Sequence, residues 1–164
     1  MARIPAANRD RGRAAEAAFK AWLVDSRLAF MVVDQTPLTM PRHLSGSVKR
    51  PDYLVGILSI GLVAVDVKAR TPVEGHLLID ADEHAAFGLF ERYFGTPVWY
   101  ACYTEGHARS CCLFRNVDIC PERDGRRLGG RTAYAVPIEL ATHCRVEAEP
   151  FDAALFNASR ERSG

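Results

Sequence analysis

The segment that decides the fold is the most apolar stretch of the chain, residues 50–68, which reads RPDYLVGILSIGLVAVDVK. Charged side chains stand at both ends of the apolar run, because Asp52 opens it and Asp66 and Lys68 close it. A buried strand normally excludes carboxylates, since taking an unpaired carboxylate out of water costs several kcal/mol or shifts its pKa. The placement of these charges therefore indicates a functional patch at the ends of buried strands.

Within this segment the sequence predicts a β-hairpin. Ser59-Ile60-Gly61 interrupts the run and fits a three-residue loop with its glycine in the left-handed position. The strands on either side are residues 53–58 and 62–68. A slip of one residue would turn every side chain of a strand to the opposite face, so the loop decides which side chains share a face.

The predicted loop makes residues 58 and 62 the flanking pair and puts Asp52 opposite Lys68. Opposed residues of an antiparallel pair point to the same face, as do residues two apart on one strand. We therefore expect Asp52, Asp66 and Lys68 to converge on one patch at the open end of the hairpin. Two carboxylates beside a fixed ammonium suit a hard cation such as Mg²⁺.

Helix and strand patterns surround the hairpin in an order typical of an α/β protein. Before it, an apolar stripe at helical spacing predicts a helix over residues 11–24, and an apolar run predicts a strand over residues 28–33. After it, the sequence predicts a short strand over 75–79, a helix over 80–94 that ends at Gly95, and a buried strand over 98–103. A strand, a helix and a strand of these lengths imply a right-handed crossover.

The last third of the chain predicts strands over residues 111–115 and 132–140 and a closing helix over 151–160. Between them, residues 121–131 form a predicted basic loop, which is equally well a phosphate-binding segment or a solvated loop. The apolar runs are too continuous for strands that are covered on one side only. The fold class that follows is α/β, a central mixed β-sheet with the hairpin at its centre and helices on both faces, in one domain spanning residues 1–164.

Pro51-Asp52 followed by Asp66-Val67-Lys68 resembles the motif of the PD-(D/E)XK nuclease superfamily, and the chain looks closest to its small resolvase-like and RecB-like members. The resemblance covers about the first two thirds of the chain, by the order of elements as well as by motif. It implies a restriction-endonuclease-like core and a metal-dependent nuclease that hydrolyses phosphodiester bonds, with DNA as the expected substrate. It also implies a Mg²⁺ cofactor, for which Mn²⁺ would substitute.

The same resemblance assigns roles to individual residues. Asp52, Asp66 and the backbone carbonyl of Val67 would hold the metal, and Lys68 would orient the attacking water and offset phosphate charge. Glu16 lies at the edge of the apolar stripe of the first helix, where these nucleases commonly carry an acidic residue that faces the metal. An exposed Glu16 that pairs with Lys20 is the alternative. Lysine occurs only at positions 20, 49 and 68 in a chain that otherwise uses arginine, which independently favours a selected role for Lys68.

Basic residues beside the motif are candidates for phosphate contacts, although a solvated charge cluster is the alternative for them. They are Arg42, Lys49, Arg50 and Arg70. The net charge of the chain is only +1, so nucleic-acid binding must depend on such local patches. A homodimer or a protein partner stays open. At the start of the helix over residues 80–94, Glu83 and His84 stand where related nucleases often present glutamine or tyrosine. His84 is interpreted as a surface histidine, or as one that supports the site through a neighbouring residue, rather than as a metal ligand.

Two other classes of function stay open. The chain could be an inactive nuclease-fold module that binds nucleic acid or protein, or Asp52 and Asp66 could be structural carboxylates. The complete Asp/Asp/Lys set argues against the inactive module. The five cysteines have no CxxC spacing, which disfavours zinc, and their odd number without an export signal indicates reduced thiols in the cytoplasm. The longest apolar run falls short of the ~20 residues of a membrane helix, so no membrane is expected.

Overall fold

The computed structural model of the chain describes residues 6–36, 40–58, 60–104, 109–128 and 130–160. Its α-helices are α1 (Ala6–Asp25), α2 (Ala81–Phe94), α3 (Pro121–Asp124) and α4 (Phe151–Arg160). Its strands are β1 (Ala29–Val32), β2 (Tyr53–Ile57), β3 (Gly61–Ala69), β4 (His76–Asp80), β5 (Val98–Tyr103), β6 (Ser110–Arg115), β7 (Gly125–Leu128), β8 (Arg131–Pro137) and β9 (Thr142–Arg145). Short 3₁₀ helices follow β6 and β8, at Asn116–Asp118 and Ile138–Leu140.

Six strands form the main sheet in the order β1-β2-β3-β5-β6-β9. The neighbours β3 and β5 are parallel and the other pairs are antiparallel, so the sheet is mixed. The β2–β3 hairpin lies inside the sheet, next to the parallel pair. The predicted α/β class with a central mixed sheet and an internal hairpin is confirmed.

The hairpin register differs from the predicted one. Tyr53 lies opposite Val65 and Ile57 opposite Gly61, so residues 58 and 62 are not the flanking pair and the loop spans residues 58–60. Ser59, which the sequence predicted in the loop, lies outside the described residues. The turn closes one position earlier than predicted because the Ile60 N–H donates to the Ile57 carbonyl, and Gly61 begins β3 with a φ of +102°.

The observed register keeps each side chain of the hairpin on its predicted face, because the pairing is shifted by two residues and not by one. The pairing ends at Tyr53 opposite Val65, so Asp52 lies just before the paired residues and is not opposite Lys68. The Asp52 N–H donates over 3.1 Å to the carbonyl of Val65, the partner of Tyr53, so the regular ladder does not continue to Asp52. Asp66 and Lys68 lie two positions apart on β3 and share a face, and the Asp52 side chain is held next to them by the Val67 N–H.

Helices cover both faces of the main sheet, over two separate cores. On one face, alternate hairpin residues such as Val55 and Val65 pack against Phe19 of α1 and Phe151 of α4. On the other face, the buried residues of β3, β5 and β6 share a core with Phe87 of α2 and with β4 and β8. Side chains of a strand point alternately to opposite faces, so strands covered on both sides must be apolar at nearly every position.

The C-terminal third departs most from the prediction. Residues 121–131, predicted to be a loop, contain α3 and β7, and β7 pairs with β8 in a second sheet of order β4-β8-β7. The strand predicted over residues 132–140 ends at Pro137 and continues as a 3₁₀ helix. The glycine and arginines of β7 show no strand pattern in the sequence, because β7 lies at the edge of a small sheet and has little apolar surface to bury.

No helix in the described part of the chain is long and apolar enough to cross a membrane. The cysteines are free thiols, and two pairs of them face each other across strands, Cys111 with Cys144 and Cys102 with Cys112. Within the described residues, no group of three or more His, Cys, Asp or Glu side chains is arranged to hold a metal ion, a zinc site at the cysteines included.

Candidate metal and catalytic site

The site lies where three parts of the fold meet on one face of the main sheet. The segment before β2 carries Lys49 and Asp52, β3 carries Asp66 and Lys68, and the first turn of α2 carries Glu83. Asp66 is almost completely buried, at 1% exposure, and Lys68 and Glu83 are 13% and 15% exposed. Such burial is unusual, because these residue types are almost never buried unless they are paired.

Two lysines and two carboxylates form a closed set of contacts, which we call the ion-pair cluster: Lys49, Asp66, Lys68 and Glu83. The Lys68 Nζ lies 2.5 Å from Asp66 Oδ2 and 2.8 Å from Glu83 Oε1. The Lys49 Nζ lies 3.2 Å from Asp66 Oδ1 and 3.3 Å from the same Glu83 oxygen. Each ammonium therefore contacts both carboxylates, and solvent screens these contacts little because the groups are mostly buried.

Local packing and capping explain why Lys49 and Glu83 reach the site. The ammonium of Lys49 lies 4.7 Å from the ring centroid of Phe87, in a cation–π contact on α2. Glu83 is fixed by the start of α2, where the Asp80 side chain caps the helix by accepting from the Asp82 N–H over 2.9 Å. The helix crosses from β4 back to β5, which lies parallel to β3, and so its first turn comes over the end of β3.

Asp52 completes the set beside the ion-pair cluster. Its Oδ2 accepts from the Val67 N–H over 2.8 Å, which ties the start of β2 to the end of β3. Burial and the charge of Asp66 raise the pKa of the Asp52 carboxyl from 3.8 to about 6, while the Val67 N–H and the Lys68 ammonium act in the opposite direction. The negative charge of Asp66 thus disfavours ionisation of Asp52, and a bound cation would offset this repulsion.

The ion pairs also shift the pKa values of Lys68 and Glu83. Burial by itself lowers the pKa of the Lys68 ammonium, but Asp66 and Glu83 outweigh it and hold that pKa above its ordinary value. Burial likewise acts to raise the pKa of the Glu83 carboxyl, and Lys68 and Lys49 hold it below its ordinary value instead. Both groups therefore stay charged at neutral pH.

The donors present fit a hard divalent cation. Asp52 and Asp66 supply adjacent carboxylates, and Val67 lies between Asp66 and Lys68 on the same strand. Oxygen ligands of this kind suit Mg²⁺ and Mn²⁺, and Mg²⁺ is usually held by one or two carboxylates together with substrate phosphates and water.

Glu16 lies near these residues without joining the ion-pair cluster. Its side chain is exposed on α1, and its charge contributes the smallest of the effects that raise the pKa of Asp52. Its backbone carbonyl accepts from the Tyr53 hydroxyl over 3.3 Å, which fixes α1 against the start of β2. The structure therefore brings Glu16 within electrostatic reach of Asp52 and leaves its carboxylate at the surface.

The basic candidates divide into different environments. Lys49 belongs to the ion-pair cluster, whereas Arg42 is exposed in the segment before it. Arg50 is half-buried and donates to the Thr36 carbonyl over 2.9 Å. Arg70 follows β3, where its backbone N–H donates to the Tyr103 carbonyl and its side chain is half-buried.

A buried hydrogen-bond network lies under α2 beside the site, and no pattern along the chain points to its centre, Asn116. The Asn116 Oδ1 accepts from the Tyr100 hydroxyl over 3.0 Å and lies 2.9 Å from His84 Nδ1. Its Nδ2 donates to the His84 carbonyl and to Glu91. His84 is therefore held as a structural partner of Asn116, and Tyr100, which lies beside Asp66 in the parallel register, is fixed by the same group.

Comparison by sequence gives no relative, since no family model and no curated protein matches the chain. The structure is similar to that of Archaeoglobus fulgidus Hjc, a Holliday junction resolvase from an archaeal hyperthermophile. The TM-score is 0.52 at 19% sequence identity, and the likeness covers 80% of this chain and 89% of that chain. At this identity the likeness concerns the fold. The chain thus has a resolvase-like (restriction-endonuclease-like) fold, as its sequence pattern predicts.

Proposed function

We propose that the chain is a cytoplasmic, Mg²⁺-dependent nuclease that hydrolyses phosphodiester bonds in DNA, with its active site at Asp52, Asp66 and Lys68. The observation that supports this most strongly is the buried carboxylate of Asp66, which lies beside Asp52 and 2.5 Å from the Lys68 ammonium. Charged groups cost free energy when they are buried, and so an arrangement of this kind is more typical of an active site than of a core.

In this proposal Asp52, Asp66 and the Val67 carbonyl hold the metal, and Mn²⁺ can take the place of Mg²⁺. A divalent metal supplies Lewis-acid stabilisation of the phosphate and a nucleophile at neutral pH. The protein supplies the remaining parts: Lys68 offers a fixed positive charge to a phosphate oxygen, and the shifted pKa of its ammonium keeps it protonated. Glu16 stands at the edge of this site, where it would add negative charge near the metal.

Phosphate contacts along the polymer are proposed for Arg42, Lys49, Arg50 and Arg70, which flank the motif in sequence. The solved structure with a similar fold is described as a Holliday junction resolvase, so a four-way DNA junction is the first substrate to test. Duplex DNA, single-stranded DNA and RNA of matched length complete the panel. Cleavage of one form at a rate well above the others would define the substrate class.

The decisive experiment is Asp66→Asn, which keeps the size of the side chain and removes the charge that a cation needs. We expect this variant to lose DNA cleavage and the Mn²⁺ site in calorimetric titration while it stays folded. Asp82→Asn is the matched control, because Asp82 is an exposed carboxylate on the first turn of α2. Equal Mn²⁺ binding by Asp66→Asn and the wild type would refute the proposal.

A second candidate is a nuclease-fold module that binds nucleic acid or protein without cutting. The observation in its favour is that both oxygens of Asp66 contact an ammonium, Oδ1 with Lys49 and Oδ2 with Lys68. If these contacts persist in all conditions, the carboxylate is structural. The same titration separates the two functions, because a binding module of this kind would take up no Mn²⁺ and would cleave no member of the panel.

A further inference from the structure

The proposed metal site and the ion-pair cluster share one residue, Asp66. Both of its oxygens already face an ammonium, so a divalent cation must compete with Lys49 and Lys68 for the same carboxylate. Like charges that approach a single buried carboxylate repel each other strongly, because solvent screens them little. Binding of the metal therefore requires the two ammoniums to loosen their contacts with Asp66.

Glu83 is the other carboxylate that both ammoniums touch. Its Oε1 lies 2.8 Å from the Lys68 Nζ and 3.3 Å from the Lys49 Nζ. When Asp66 binds a cation, the lysines keep a buried partner only through these contacts. Without Glu83, two ammoniums and a divalent cation would face only the carboxylates of Asp52 and Asp66.

We propose that Glu83 is a positioning residue that anchors the Lys49 and Lys68 ammoniums and thereby frees Asp66 for the metal. The inference rests on the metal site of the proposed function and adds a role for the first turn of α2. Glu83 acts through the two lysines and is not a ligand of the metal. Its removal lowers metal affinity because, among the described residues, Asp66 is then the carboxylate that still contacts both lysines.

The test is a double-mutant cycle read by calorimetric titration with Mn²⁺, which needs no substrate. Glu83→Gln should weaken Mn²⁺ binding by about tenfold, the smaller end of the effect of residues that orient metal ligands. In a Lys49→Met background the same Glu83→Gln change should cost only about threefold, because one of the two competing ammoniums is gone. The double variant removes one charge of each sign, so the net charge of the ion-pair cluster is unchanged. It keeps the Lys68–Asp66 contact, and we expect it to stay folded.

The outcomes separate this inference from the proposed function. A direct ligand, or a charge acting only through space, would give the same fold loss in both backgrounds, and that result would overturn the positioning role. Unchanged Mn²⁺ affinity in Glu83→Gln would also overturn it. Absence of Mn²⁺ binding by the wild type would instead refute the proposed function, and this inference with it. Asp82→Asn, which removes a neighbouring exposed charge, should change the affinity by less than about twofold.

A kinetic measurement on the four-way junction gives a second readout. Glu83→Gln should lower kcat and leave KM within about twofold, because the change affects the charge arrangement at the reacting phosphate rather than contacts along the polymer. Glu83→Asp keeps the charge on a shorter side chain and should recover part of the loss. Equal kcat in the wild type and Glu83→Gln would contradict a positioning role.

Discussion

Lys68 is the residue whose surroundings differ most from those of an ordinary lysine. It is 13% exposed, its stem lies in a strand of the main sheet, and its ammonium touches two carboxylates. Arginine could not fill this place in the same way, since its planar, larger head presents charge in a different shape. A compact ammonium held close to Asp66 is suited to charge that develops on a phosphate oxygen during the reaction.

Lys68→Ala should reduce kcat by about 10²–10³-fold with only a small change in KM, because stabilisation of developing charge affects the chemical step. Lys68→Arg keeps the charge and changes its position, and it should recover only part of the activity. Cleavage under saturating substrate gives kcat, and Lys20→Ala, at an exposed lysine of α1, is the control. Full activity of both Lys68 variants at saturation would mean that Lys68 only binds phosphate.

Asp52 predicts a pH dependence of the metal-free protein. Its pKa is about 6 in the folded chain and near 3.8 when unfolded, so the folded state binds the proton more tightly. This contribution to stability is complete below about pH 4 and is lost as the pH rises through about 6. Urea unfolding in a chelator should show the free energy of unfolding of the wild type falling over this range relative to Asp52→Asn. Parallel curves for the two proteins would show that Asp52 titrates normally.

At the scale of elements, α2 depends on its two ends to bring Glu83 to the site. Asp80 caps its first turn, and Gly95 ends it with a φ of +61° and an N–H that donates to the Glu91 carbonyl. This left-handed conformation is unfavourable for residues with a Cβ, which explains the glycine. The start of the helix is fixed by a polar cap and its end by backbone conformation.

Two glycine substitutions should change stability in opposite directions. Gly95→Ala should lower the free energy of unfolding by about 1 kcal/mol, because alanine is strained at positive φ even where nothing crowds the new Cβ. Gly12→Ala in α1 also places its Cβ in open space, but at an ordinary helical φ. This change should raise the free energy of unfolding by about 0.5–1 kcal/mol. Chemical denaturation measures both. A stabilising Gly95→Ala would contradict the assigned helix end.

In the whole molecule, the main sheet separates two apolar cores, one on each of its faces. Trp22 and Trp99 both lie in the core on the α1 face, whereas Leu77 of β4 lies in the core on the α2 face. The two cores share the backbone of the main sheet. Unfolding of either core should therefore expose the other core to solvent, as expected if residues 1–164 form one domain.

Matched leucine substitutions test that cooperativity. Leu77→Ala and Leu155→Ala each remove a fully buried leucine, one from each core, and each should cost about 2–5 kcal/mol. In one cooperative unit, Leu77→Ala shifts the tryptophan fluorescence transition as far as it shifts the far-UV circular dichroism transition, although both tryptophans lie in the other core. A tryptophan transition that Leu77→Ala leaves unmoved would mean that the two faces unfold separately.

Patterns along the chain were enough to predict the parts of the fold that depend on neighbouring residues. Alternation and apolar runs located β2, β3 and β5, and helical spacing with a cap and a C-terminal glycine located α2, because these signals act over a few residues. The shared face of Asp66 and Lys68 also followed, since residues two apart on one strand point to the same side. The exact pairing did not follow, because a single turn hydrogen bond decides it.

The distant residues that complete the site are brought together by tertiary contacts. Glu83 was visible as a first-turn glutamate, and Lys49 as a basic residue before the motif, but nothing local shows that Lys49 contacts both Asp66 and Glu83. The strand β7 was hidden for a different reason, since an edge strand with little apolar surface is stabilised by its partner β8 and shows no apolar pattern of its own. Contacts of this kind arise from parallel pairing of β3 with β5 and the crossing of α2 between them, and a pattern read along the chain does not contain such long-range geometry.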